Sequence, residues 1–190
     1  MISKRTGKGK QIINNWWISL FLGTLFFIMA ILLIFGIIHD IRKFEIIFCI
    51  TLLISGILEV VFSLSNRKTL TIWRWCLTGA ILELMLAFFM SYFNYPIEYF
   101  VYFFVIWLLI RGFSAFGYAF DFNRLDKKKW IWILILGILA VFCAAILILQ
   151  SMQETHLNLF IIATGFLCMS LFRFLLGIEL RRLNKIEQII

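Results

Sequence analysis

Two stretches of this chain, 16–38 and 130–149, carry no charged residue on any face. A helix that is apolar all round has no side to turn toward water, and about twenty such residues match the hydrocarbon thickness of a bilayer. A water-soluble fold is therefore excluded. The composition agrees, with 63% hydrophobic residues and a single proline in 190; a soluble domain of this size is far less apolar.

Four further runs are long and apolar enough to cross, giving six predicted spans at 16–38, 44–64, 72–92, 99–120, 130–149 and 157–177. The connectors between them are too short to hold another domain. The chain is thus expected to be an all-α integral membrane protein, its six transmembrane helices arranged as three repeated helical hairpins at about 16–66, 72–124 and 130–177. A basic segment, 1–15, precedes them, and an amphipathic stretch, 178–190, is expected to extend the last helix along the headgroups. The lysine-bearing start is followed by a run too long for a signal peptide and lacking a small-residue cleavage site, so it is expected to remain as the first span.

The net charge of +8 does not form the single basic stripe of a nucleic-acid binder. Fourteen lysines and arginines cluster at Lys4, Arg5, Lys8 and Lys10, at Arg67, Lys68 and Arg74, at Arg124, Lys127, Lys128 and Lys129, and at Arg181, Arg182 and Lys185. The alternate connectors hold only Arg42 and Lys43. Basic residues stay on the cytoplasmic side, so both termini are predicted to be cytoplasmic in a multi-pass membrane protein.

Glycines mark an internal repeat: Gly23 and Gly56 are 33 residues apart, as are Gly79 and Gly112, while Gly137 and Gly165 are 28 apart. Each odd span opens on tryptophans (Trp16 and Trp17, Trp73 and Trp75, Trp130 and Trp132), which prefer the headgroup level. Small residues one turn apart, such as Ser19 with Gly23, Ala115 with Ala119 and Ala140 with Ala144, suit close helix packing. Three tandem hairpins opened by tryptophan and glycine, a glycine deep in each second helix and the step Ser65-Asn66-Arg67 together resemble the HdeD family, over about 16–183. These are small bacterial inner-membrane proteins of the short-repeat class associated with acid resistance. The resemblance implies a non-enzymatic role in acid-stress or envelope-stress tolerance, and brings no catalytic residues with it. The shorter glycine spacing in the third hairpin departs from the pattern and leaves the alignment of Arg173 open.

Four ionisable residues lie well inside the spans: Glu59, Glu83, Arg111 and Arg173. Such groups are costly in hydrocarbon, so they pair, face the interior or line water. Counting at ~1.5 Å per residue brings Glu83 and Arg111 level near mid-membrane and puts Glu59 and Arg173 in the cytoplasmic third. Two acid-base pairs at two depths are expected, with a Glu83–Arg111 salt bridge inside the middle hairpin. Two readings stay open: pairs that fix helix register, or a small proton- or ion-linked transporter or channel lined by Glu59, Glu83 and Arg111. Glu45, Arg74, Glu98 and His156 lie nearer the interfaces, and His39 and His156 sit in predicted outer connectors.

No nucleophile elbow, phosphate loop, zinc-protease motif or clustered cysteine-histidine set occurs, so no catalytic residue, metal ligand or cofactor is expected. Cys49, Cys76, Cys143 and Cys168 all fall in apolar runs and are predicted to be free thiols. The expected partner is the lipid bilayer, with a homo-oligomer or membrane-protein partner left open and no nucleic acid.

Overall fold

The computed structural model describes residues 13–36, 41–70, 73–93, 99–123, 130–150 and 155–189. They form six α-helices: α1 Trp17–Ile34, α2 Ile41–Ser65, α3 Trp73–Tyr92, α4 Phe100–Asn123, α5 Trp130–Gln150 and α6 Thr155–Ile189. No strand occurs among the described residues. All six helices are long and apolar enough to cross a membrane, and the protein is an all-α membrane protein of six spans. The last helix does not stop at the predicted edge of the hydrocarbon; α6 runs on for 35 residues, carrying the stretch past 177 as its own continuation.

Short connectors make neighbouring helices antiparallel, so α2, α4 and α6 run parallel to one another. These three bury more of their surface than most of the odd-numbered helices and supply most of the central side chains. Sequence spacing suggested hairpins α1 with α2, α3 with α4 and α5 with α6. In space the most extensive packing is instead between α1 and α6, α4 and α5, and α2 and α3, while α1 and α2 touch only lightly. The six helices therefore close into a ring in which the last packs on the first.

Small residues explain where the tight interfaces fall. A Cβ placed on Gly56 would stand 2.7 Å from the Leu84 side chain of α3, and one on Gly112 would stand 2.7 Å from Val141 of α5. Those glycines let α2 meet α3, and α4 meet α5, at a distance no larger residue allows. The α1–α6 interface uses hydroxyls: Ser19 Oγ donates to the Arg173 carbonyl and Ser170 Oγ to the Gly23 carbonyl, both at 2.9 Å.

The paired tryptophans open α1, α3 and α5 on one side of the bundle, and Trp17, Trp75 and Trp132 are each at least half exposed to the surroundings. Arg181 of α6 lies over the Trp16 ring, its Cζ 5.1 Å from the centroid, which ties the extended helix to the start of α1. None of the four cysteines forms a disulfide among the described residues, and Cys76, Cys143 and Cys168 are buried.

Candidate functional site

The first halves of α2, α4 and α6 pack aromatic rings into the middle of the bundle. Phe44 and Phe48 come from α2, Phe100, Phe104 and Trp107 from α4, and Phe166 from α6, with Phe26 of α1 closing the group. Phe48 meets Phe100 and Trp107 edge-on with centroids 5.6 Å apart, and Phe104 lies 5.1 Å from Phe166. Edge-to-face contacts of this kind set positive ring edges against negative faces. The cluster plugs the half of the bundle nearest the connectors that lead into α2, α4 and α6.

Beneath the plug the same helices change character. One turn along α4 from Trp107 stands Arg111, and one turn along α2 from Ser55 stands Glu59; Glu83 enters from α3 and Arg173 from α6. All four charged residues are sealed from the surroundings, none more than 2% exposed. Arg111 forks between the two carboxylates, pairing through Nη1 with Glu59 Oε2 and through Nη2 with Glu83 Oε2. Arg173 Nη2 donates to the same Glu59 Oε2 at 2.8 Å. Ser55 Oγ accepts from Arg111 Nη2 at 2.8 Å and donates to Glu83 Oε1 at 2.7 Å. Trp107 Nε1 also donates to Glu83 Oε1, at 2.7 Å, so one indole is both the last ring of the plug and the first donor to the charges.

The four charged residues singled out from the sequence thus stand together. They form one connected network, not two separate pairs at two depths. Glu59 joins them, because α2, α4 and α6 share the bundle centre and its carboxylate reaches guanidinia from both other helices. Two carboxylates balance two guanidinia, so the set is formally neutral. That balance matters because an uncompensated buried charge costs far more than a satisfied pair.

Sequence reasoning missed Ser55 and Trp107. Each had a signal: Ser55 lies four residues before Glu59 and Trp107 four before Arg111, which puts each pair on one helical face. Trp107 is also the one tryptophan of seven that does not sit at the start of an odd span.

Two of the residues expected nearer the interfaces, Glu45 and Arg74, make local contacts instead. Glu45 pairs with Arg42 at 3.7 Å within the first turn of α2, and Arg74 lies over the Trp73 ring. His39 and Glu98 lie outside the described residues, as does the side chain of His156. Among the described residues no three His, Cys, Asp or Glu side chains are grouped as a metal site would need.

A family model described as a short repeat of unknown function (DUF308) matches residues 41–92 and again 94–149. Those two units are α2 with α3 and α4 with α5, the helix pairs that meet across Gly56 and Gly112. No curated protein and no solved structure matches the chain.

Proposed function

This chain belongs to the DUF308 short-repeat family, and from that premise we propose that it is a non-enzymatic bacterial inner-membrane protein supporting acid-stress or envelope-stress tolerance. The observation that carries the reading is the doubled DUF308 match, since this is the family to which HdeD belongs; the glycine, tryptophan and Ser65-Asn66-Arg67 positions favour the same relative. The neutral, enclosed charge network supports a role in holding the bundle in one register. Both termini face the cytoplasm in this reading, following the basic residues.

A strain lacking the protein should survive acid challenge less well, and the wild-type chain should restore survival. Unchanged survival under both acid and envelope stress would overturn the proposal. A reporter fused after Ile190 should be active in the cytoplasm, and one inserted at Asn94 should report the outside.

The second reading, a proton-linked transporter, is favoured by the two carboxylates deep in the spans. It predicts proton flux into vesicles carrying the purified protein, abolished by Glu83→Gln. The stress-tolerance reading predicts no such flux.

A further inference from the structure

The network is unevenly satisfied. Every oxygen of Glu83 has a donor, from Ser55, Trp107 or Arg111. Glu59 accepts both guanidinia through Oε2, while its Oε1 is buried with no hydrogen-bond partner among the described residues. The same holds for Ser63 Oγ, one turn further along α2, and for Tyr118 OH, two turns beyond Arg111 on α4. Ser63 and Tyr118 are 0% and 1% exposed. The polar group that α3 brings toward Tyr118 is the Cys76 thiol, and a thiol is a weak donor and a weak acceptor.

Among the buried hydroxyls of the described residues these two are exceptional. Thr24, Thr51, Thr78, Ser114 and Thr164 each donate to the carbonyl four residues back on their own helix. Ser63 could do the same toward Glu59 and does not. Tyr118 packs against Phe172 of α6, centroids 5.9 Å apart, beside Arg173. These three oxygens lie on α2 and α4, at the charges or beyond them on the side away from the aromatic plug.

We propose that this region, bounded by Glu59, Ser63, Tyr118 and Arg173, is an internal water-binding site that completes the charge network on the side away from the rings. Buried carboxylate and hydroxyl oxygens are very seldom left without partners. A water needs two to four polar neighbours to be held in a protein interior, and this region supplies them where the plug supplies none. The site is closed beyond Ser63 by Asn66, which is fully buried; its amide nitrogen donates to the Asn14 carbonyl at 2.8 Å and its oxygen accepts from the Asn14 N–H at 2.8 Å. The hydrated site and the dry plug thus flank the network from opposite sides. The assignment does not depend on the role in stress tolerance.

Radiolytic footprinting in ¹⁸O-water, on the full chain in lipid nanodiscs, separates a wet site from a dry one. A bound water converts to hydroxyl radical in place and labels its neighbour, so Tyr118 should take up label well above Phe48 and Phe104, which are equally buried. Equal labelling of all three would overturn the proposal. An independent measurement uses the hydroxyl itself. Tyr118→Phe should lower the Tm by about 2–4 °C if the hydroxyl is held by water. An unchanged or higher Tm, the result of removing an unsatisfied hydroxyl from a dry site, would also overturn it.

Discussion

The two halves of the bundle core solve one problem by opposite means. In the half nearest the connectors that lead into α2, α4 and α6, Phe44, Phe48, Phe100, Phe104 and Phe166 fill the centre with rings; from mid-span onward, Glu59, Glu83, Arg111 and Arg173 fill it with charges. Lipid tails are as apolar as phenylalanine, so ring packing gains only dispersion and shape, and neighbouring registers differ little in energy. A charge network is different, since sliding one helix past another by a turn would leave a bare charge in hydrocarbon. The rings therefore fill the core, while the network penalises any slip in how the helices align.

The comparison breaks if single charge removals prove mild. Arg111→Leu would strand Glu83 without a cation and leave Glu59 to Arg173 alone, and removing one partner of a buried pair costs ~3–5 kcal/mol. Thermal unfolding in detergent should show a larger loss for this variant than for any exchange of a ring or a serine. Adding Glu83→Gln to Arg111→Leu restores neutrality, because Glu59 and Arg173 remain paired at 2.8 Å. The double variant should then lose less than the sum of its single variants. Additive losses would mean that the charges act independently.

Trp107 belongs to both halves, and Trp107→Phe keeps an aromatic ring in the plug while deleting the donor to Glu83. A hydrogen bond to a charged group is worth about 1.5–3 kcal/mol, and the loss measured by thermal unfolding should fall in that range. A loss below that expected for a simple ring change would show that the indole N–H does not couple the plug to the network.

Much of this architecture is legible in the sequence, and the rest is hidden for definite reasons. Uncharged runs such as 16–38 specify spans because no other environment accepts them. Counting residues along a helix gives the level of Glu83 and Arg111, which do meet. It does not give the direction in which a side chain points across the bundle, so the bridging of Arg111 and Arg173 by Glu59 could not be read. Helix pairing was obscured in the same way: connectors of similar length leave each helix two possible close neighbours, and the choice rests on faces such as Gly56 against Leu84. Ser55 and Trp107 could have been recovered by asking what lies one turn from each buried charge.

If the plug is a filler, it should tolerate exchange of one apolar shape for another. Phe48→Leu keeps most of the volume at a fully buried position that touches Phe100, Phe104, Trp107 and Phe166. Apolar swaps of this kind usually cost under about 1.5 kcal/mol. A loss comparable to that of Arg111→Leu would show that the rings specify register as strictly as the charges.

The smallest effect is expected where polar groups are buried but belong to no network. Ser19 and Ser170 each make one hydrogen bond across the α1–α6 interface, to different carbonyls and with no shared partner. Both accepting carbonyls lie inside helices and keep their backbone donors when the serine is lost, so neither removal orphans a buried group. Hydrogen bonds between transmembrane helices average only about 0.6 kcal/mol, because the separated helices find other partners. Ser170→Ala should therefore shift unfolding by about that amount, and Ser19→Ala likewise. Because the two bonds share no partner, the double variant should lose the sum of the two, within about 0.5 kcal/mol. That additivity is the opposite of the behaviour expected for Glu83 and Arg111. A strong coupling between Ser19 and Ser170 would place directional specificity at the ring closure between α1 and α6 as well, and the central charges would no longer be the sole source of register.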